Sequence, residues 1–479
     1  MTGDIILPDG PLGLLLQLGL WVSVLILATG LLQNLLYTVQ LFTAYRALRR
    51  RRVIGTSLSA WWAFSEQTMP ISLLVPAWNE QASIVDSVRS MLALHYPNFE
   101  VIVVNDGSND ATLETLIAAF ELEPVQRAYQ EAVPHAPVRR LYANPRYPRL
   151  LVVDKENGGK ADALNAGINL TRTPLFCSVD ADSLLESDAL LRAVQPFMDD
   201  PEHVVAVGGT IRVVNGCRVR LGRILSMGLP RSWLARFQIN EYLRAFLMAR
   251  LAWSEWGAMM LISGAFGIFR RNIAIEVGGY SHNTVGEDME IIVKIHRHLG
   301  DRGLDYAIRF VPDPVCWTEV PEHLGSLARQ RRRWQRGSLE TFFKHRAMFW
   351  RRRYGVSGTV GYTNLLISEV AGPLLELAGY LLIPLFFLTG LLSLEFFLAY
   401  LGMVFAYGVF LSVGALLLEE IELRRYPRPG DLARLTLSAV LENFGYRQLN
   451  NVWRILGWWD YLRRKRGWGA MRRKGFEAG

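Results

Sequence analysis

Four polar clusters stand along the middle of the chain, each directly after a short apolar run. They are Pro76-Ala77-Trp78-Asn79-Glu80, Asn105-Asp106-Gly107-Ser108, Lys155-Glu156-Asn157-Gly158-Gly159-Lys160 and Asp180-Ala181-Asp182. Two carboxylates spaced like Asp180 and Asp182 can hold a divalent cation whose other ligands are diphosphate oxygens, because magnesium commonly takes few carboxylates plus substrate phosphates. Such an ion neutralises charge building on a departing nucleotide diphosphate. Asp106 can hydrogen-bond a base or ribose. Gly158 and Gly159 permit close backbone approach, and Lys160 can offer its ammonium to phosphate. The eight-residue phosphate-loop pattern of nucleotide hydrolases is absent. Each cluster taken singly reads as well as a helix cap or turn; their chemistry depends on convergence.

Two further groups follow. In Gly286-Glu287-Asp288 an acid placed beyond the metal site could deprotonate an attacking hydroxyl, although alone it is equally a capping or solvated carboxylate. In Gln330-Arg331-Arg332-Arg333-Trp334, Arg333 suits bidentate phosphate contact and the Trp334 indole can stack on a sugar face. Arg331, Arg332 and Arg336 are expected as a cytoplasmic membrane flank.

The elements that must bring these residues together are legible as periodicity. Short β-rich runs occupy Ile71–Val75, Glu100–Val104, Leu150–Val153, Leu175–Val179 and Val204–Val207. Between several of them lie helical patterns, such as Ile84, Val88, Met91 and Leu92. Alternating strands and helices imply an α/β, doubly wound, mostly parallel sheet, whose ligands bind beyond the carboxyl ends of its strands. The polar clusters stand at those ends. Glu121 to Arg149 contains prolines and little periodicity, and is expected as an inserted surface loop.

Apolar residues, 51% of the 479, concentrate at the amino terminus and after Tyr362. Leu12 to Phe42 is nearly uncharged, is longer than a signal-peptide core and has no small-residue cleavage site before the arginines that follow; it reads as a membrane span. Tyr362 to Leu418 accommodates two more spans joined near Glu395, and Leu432 to Leu462 reads as a helix lying at the interface. Leu251 to Phe269 is interrupted by Ser254, Glu255 and Trp256 and reads as a buried segment lining an acceptor site. The net charge of +8 does not point to nucleic acid, because the basic residues (Arg46 with Arg49 to Arg52, Arg351 to Arg353, Arg424, Arg425 and Arg428, Arg463 to Lys465) flank the apolar blocks. That placement puts the catalytic unit on the cytoplasmic side. Cys177, Cys217 and Cys316 have no paired spacing and read as free thiols. Three units result: 1–52, a span with its basic flank; 53–345, the catalytic unit; and 346–479, the carboxyl-terminal membrane region.

The motif order Asp106-Gly-Ser, Gly-Gly-Lys160, Asp180-Ala-Asp182, Gly-Glu-Asp288, Thr318-Glu319 and Gln330-x-x-Arg333-Trp334 resembles the processive family 2 glycosyltransferases. These include cellulose, chitin, hyaluronan and poly-N-acetylglucosamine synthases. The wording from Lys155 to Asn165 is similar to the poly-N-acetylglucosamine and chitin-oligomer branch. The resemblance implies a GT-A fold, inverting transfer from a UDP-sugar to a growing glycan, and Mg2+ or Mn2+. By position it assigns Asp106 to uridine, Asp180 and Asp182 to UDP and metal, and Asp288 to the general base. Glu80 and Lys160 fall in the donor site, and Gln330, Arg333 and Trp334 serve the diphosphate and acceptor. Ser263-Gly264-Ala265 resembles the acceptor segment, and Gln238 to Tyr242 lies where such enzymes place an interfacial helix. The implied setting is a multi-pass protein of the cytoplasmic membrane, in contact with the lipid bilayer and with an accessory export subunit as a further partner. Two other readings stay open: addition of one sugar to a membrane lipid, and an inactive membrane partner in an export complex.

Overall fold

The computed structural model describes residues 11–50, 68–220, 222–422 and 428–465. Arg51, Arg52, Arg424 and Arg425, expected as membrane flanks, lie outside the described residues.

The strands are β1 (Ile71–Ala77), β2 (Phe99–Asp106), β3 (Glu123–Val125), β4 (Val138–Ala143), β5 (Leu150–Lys155), β6 (Leu175–Val179), β7 (Leu184–Leu185), β8 (Val204–Val213), β9 (Arg218–Arg220), β10 (Arg223–Ser226), β11 (Phe266–Arg270) and β12 (Ala307–Thr318). Ten of them form one sheet in the order β3-β4-β5-β2-β1-β6-β11-β8-β12-β7, and β9 and β10 make a separate hairpin. The centre is parallel: β5 with β2, β2 with β1, and β1 with β6. Parallel pairing recurs between β8 and β12, with β11 antiparallel between β6 and β8. The central strands are nearly continuous runs of buried Val, Leu and Ile, as expected where helices cover both faces.

Three stretches depart from expectation. The segment Glu121 to Arg149 is not simply a loop, because β3 and β4 inside it pair antiparallel and β4 extends the sheet from β5. The edge strand β3 is solvent-exposed and β4 beside it only partly buried, so they carry no alternating apolar signal; β5 pairs β4, which in turn pairs β3. The stretch Leu432 to Leu462 is two helices, Pro429–Leu441 and Tyr446–Leu462. They are broken at Gly445, whose φ of +93° lies in the left-handed region that favours glycine. Finally β11 and β12, absent from the expected runs, complete the half of the sheet that carries the later motifs. The Leu251–Phe269 stretch becomes a short helix, Leu251–Glu255, a turn and most of β11, with Leu251 to Ser254 buried.

Among the described residues three helical stretches are long and apolar enough to cross a membrane: Gln17–Arg50, Ser357–Leu388 and Leu394–Ile421. Buried ion pairs join this helical region to the sheet domain. Arg212 of β8 pairs with Glu419, and Arg244 pairs with Glu442. The helix Tyr446–Leu462 leaves Val452, Leu456, Trp459 and Leu462 exposed as one stripe at helical spacing.

Candidate active site

The end of β2 delivers Asp106 to the turn after β5. Its carboxylate accepts Lys155 Nζ at 2.6 Å, the Gly158 amide at 3.0 Å and the Gly159 amide at 2.7 Å. Lys155, a residue sequence reasoning did not single out, also reaches Asp162 at 2.6 Å and is itself fully buried. A side chain at Gly158 has no room, since a Cβ there would stand 2.3 Å from Asp162 Cγ. The sequence pattern offers Asp106 to a base or ribose; in this structure it is 2% exposed and both its oxygens hold the loop that leads to Lys160.

Lys160 opens the helix Lys160–Leu170 and its ammonium pairs with Asp180, immediately past β6. The same nitrogen lies 3.7 Å from Glu287 Oε1. Burial alone would lower the Lys160 pKa, but Asp180 and Glu287 hold it above the ordinary lysine value. From the acceptor segment, the Gly264 amide donates to Asp288 Oδ2 at 3.2 Å, and the Met289 amide donates to Asp288 Oδ1 at 2.9 Å. A Cβ on Gly264 would come within 2.7 Å of Lys160 Nζ, so glycine is what lets Lys160, Gly264 and Asp288 meet. Lys160, Ser178, Ser263, Gly264, Glu287 and Asp288 line one small cleft. Burial pushes the Glu287 carboxyl up to about 7, opposed by Lys160 and reinforced by Asp288.

Asp182 is buried in the turn after Asp180, a turn closed by the Ser183 amide on the Asp180 carbonyl at 3.0 Å. Glu80 sits at the end of β1, its amide on Thr112 and its carboxylate accepting from Ser83. Those contacts place it with the turns that follow β1 and β2.

The helix Leu324–Lys344 carries Gln330, Arg333 and Trp334. It crosses the start of the helix Glu287–Asp301 at two glycines with no room between them. A Cβ on Gly337 would stand 2.8 Å from Gly286 Cα, and one on Gly286 2.9 Å from Gly337 Cα. Glu340 fastens the crossing, accepting from Thr284 Oγ1 at 3.0 Å and the Val285 amide at 2.9 Å. Arg333 thereby comes close enough for its charge to act on Glu287. Gln330 Oε1 is buried without a hydrogen-bond partner among the described residues, and Trp334 is 39% exposed.

The neighbouring arginines, expected as a membrane flank, each have a defined acceptor within the protein. Arg331 pairs with Glu241 at 2.5 Å and lies over the Trp334 ring at 4.5 Å. Arg332 pairs with Asp460 at 2.7 Å, and Arg336 pairs with Glu340 at 3.3 Å and donates to the Lys465 carbonyl. Arg331 and Arg332 find their acceptors on segments distant in sequence, and Arg336 adds the distant Lys465 carbonyl to its near partner Glu340, none of which the arginine run by itself could reveal. Gln238 donates to the Pro321 carbonyl at 2.8 Å, tying the helix Trp233–Tyr242 to the chain just past Thr318 and Glu319.

The site is therefore a crevice at strand ends, with paired carboxylates, a bridging lysine and a second acid held by a glycine amide. Among the described residues no group of three or more His, Cys, Asp or Glu side chains could hold a metal ion. Asp180 and Asp182 suit an ion completed by substrate oxygens, because two carboxylates leave most of its coordination to the ligand.

Residues 72–131 match the model of glycosyl transferase family 2, and residues 175–411 that of glycosyl transferase family group 2. The chain is 29% identical over 286 residues to a poly-beta-1,6-N-acetyl-D-glucosamine synthase of Staphylococcus epidermidis, covering 60% of this chain and 58% of that one. It is 30% identical over 275 residues to the synthase of the same description from Staphylococcus aureus strain COL, covering 57% and 56%. The chain thus spans less than two thirds of the length of these relatives. Among solved structures, a mannosyltransferase from Pyrobaculum calidifontis, in complex with GDP-Man and Mn2+, aligns over 94% of this chain and 99% of its own. Its TM-score is 0.55 at 18% identity, a likeness of fold alone, and that fold is GT-A-like.

Proposed function

We propose that this chain, which carries a family 2 glycosyltransferase domain, transfers sugar from a UDP-sugar to a growing β-linked glycan at the cytoplasmic face of the inner membrane, as its relatives' description as poly-beta-1,6-N-acetyl-D-glucosamine synthases suggests. The observation that carries the reading is the convergence of Lys160, Asp180, Gly264, Glu287 and Asp288 on one crevice, with the Arg333–Trp334 helix clamped beside it. The three apolar helical stretches and the exposed stripe from Val452 to Leu462 support a membrane setting.

In this reading Asp288 takes the proton of the acceptor hydroxyl. The hydroxyl oxygen bonds to the anomeric carbon as the bond from that carbon to the diphosphate oxygen breaks, and UDP leaves. One displacement inverts the α-linked donor to a β-linked product. The Gly264 and Met289 amides donate to the two oxygens of Asp288 and keep it in place for that step. Lys160 and Arg333 meet the negative charge of the leaving group. A divalent ion, Mg2+ or Mn2+, held by Asp180 and Asp182, would supply further neutralisation of that charge. Trp334 offers an exposed aromatic face on which a sugar can stack and slide.

The test is UDP release from the full chain in nanodiscs, screened over UDP-sugars with Mg2+ or Mn2+, with Asp288→Asn as control. Turnover of one donor, abolished by the substitution and yielding a sizeable polymer, supports the reading. Product that extracts wholly into organic solvent would replace polymerisation with glycosylation of a lipid. No turnover of any donor would remove the enzyme reading.

A further inference from the structure

The helix Lys160–Leu170 carries three polar fasteners, Asp162, Asn165 and Asn169, spaced to fall on one face. The outer two tie it to the segment between β3 and β4. Asp162 accepts the Ala136 amide at 3.0 Å, and Asn169 accepts the Ala132 and Val133 amides at 3.0 and 3.1 Å. Asn165 stands between them, fully buried, and reaches further. Its Nδ2 donates to the Pro134 carbonyl of the same segment at 3.1 Å and to the Tyr280 carbonyl at 3.0 Å. Its Oδ1 accepts the Tyr280 amide at 2.8 Å. The carboxamide thus pairs with both polar groups of one backbone unit, as a neighbouring strand would. The Tyr280 amide can only donate and its carbonyl only accept, so the pairing fixes which way round the carboxamide stands.

The turn held in this way leads into the acids of the cleft. Gly279 has a φ of +67°, and a Cβ there would stand 2.4 Å from Asn165 Oδ1, so glycine lets the turn close on the carboxamide. From the other side Lys294, on the helix Glu287–Asp301, donates to the Gly279 carbonyl at 2.7 Å. The Tyr280 side chain lines the cleft with Lys160, Glu287 and Asp288. Asn165 stands five residues after Lys160, and Glu287 seven after Tyr280. One buried side chain therefore joins the helix that presents Lys160 to the turn that precedes Glu287 and Asp288. Its removal would leave the Tyr280 amide and carbonyl without these bonds and free the turn to shift.

We infer that Asn165 is a positioning residue of the transfer step, clasping the Tyr280 backbone and so setting the turn before Glu287 and Asp288 against the helix of Lys160. Being fully buried, it acts through those residues. The inference rests on the glycosyltransferase reading.

The test compares Asn165→Ala with Asn169→Ala in the full chain in nanodiscs. Each removes a buried carboxamide bonded to backbone, so both should lower the thermal midpoint, but only Asn165 reaches the turn before the acids. In Asn165→Ala kcat for UDP release should fall on the order of 10- to 100-fold, the scale of a misplacement of about 1 Å. In Asn169→Ala it should stay near wild type. UDP binding with Mn2+, read by calorimetry, should be unchanged in both, since the Lys160–Asp180 pair is left intact. Equal kcat losses in the two variants, or a loss of UDP affinity that matches the loss of kcat, would overturn the inference. Should Asn165→Ala not fold, Lys294→Met loosens the same turn from its other side. A lower kcat with UDP binding retained then supports the inference, and an unchanged kcat overturns it. A wild type that binds UDP yet turns over no donor would refute the transferase reading. The hold on the turn is then read by hydrogen exchange across residues 278–286: faster in Asn165→Ala than in Asn169→Ala if Asn165 sets the turn, equal in the two if it does not.

Discussion

The contact between Gly286 and Gly337 yields a prediction whose size follows from the structure. A Cβ on Gly337 would stand 2.8 Å from Gly286 Cα and 2.9 Å from its nitrogen, where carbon atoms ordinarily rest about 3.5–4.0 Å apart. Both opposing atoms are backbone, so no rotamer relieves the clash and in Gly337→Ala the helix Leu324–Lys344 must retreat by about 1 Å. Overpacking of this kind costs about 1–3 kcal/mol. Alanine in place of a helical glycine offsets about 1 kcal/mol of that through helix propensity. The net destabilisation is therefore about 0–2 kcal/mol, and the more sensitive readout is rate. Arg333 and Trp334 ride on the helix that moves, while Glu287 and Asp288 stay with its partner. A displacement of about 1 Å between groups that act together can cost on the order of 10²-fold in rate. The assay is UDP release beside thermal unfolding, with Gly325→Ala as control, since its nearest neighbour would be 3.7 Å away on a flexible arginine. Near-wild-type turnover in Gly337→Ala would refute the claim that this crossing sets the site.

Three more outcomes are expected. Lys155→Met leaves Asp106 and Asp162 buried without their shared ammonium and should destabilise the protein by about 3–5 kcal/mol, read as a lowered thermal midpoint. Glu290 is fully buried, and although burial opposes it, donors from His345 and Lys344 hold its carboxyl down at about 2, against an ordinary 4.5. Its stabilisation is thus complete above the unfolded value and is lost as pH falls from 4.5 toward about 2. Glu290→Gln should be less stable than wild type by up to about 3 kcal/mol at pH 7, and the two thermal midpoints should converge as pH drops through that window. Asp182→Asn should raise the Mn2+ or Mg2+ concentration that half-activates UDP release by about tenfold or more. Metal activation unchanged by that substitution would exclude Asp182 as a ligand.

Much of the molecule is written in local order along the chain. Val, Leu and Ile runs mark the buried central strands β1, β2, β5 and β6, because a strand covered on both faces must be apolar at nearly every position. Charge-poor stretches near the length of a bilayer likewise mark the three membrane-length helices. The motifs at Asp106, Lys160, Asp180 and Asp288 could be located for the same reason: a crevice at strand ends needs its polar residues just after each strand.

What the chain could not display was which distant partner each polar group would meet. Lys155 looks like one lysine of a turn until Asp106 and Asp162 close on it from different elements. Arg331, Arg332 and Arg336 form a run that composition reads as a membrane flank, and nothing in it shows that they meet Glu241, Asp460 and the Lys465 carbonyl. The edge strand β3 and its neighbour β4 have no apolar alternation, since solvent reaches both and their place is set by the pairing of β4 with β5 and of β3 with β4. Local period and composition determined the strands, the spans and the positions of the motifs. The tertiary structure alone decided the Gly286–Gly337 crossing and the two uses of Asp106's oxygens, because each depends on atoms about fifty residues apart being brought into contact.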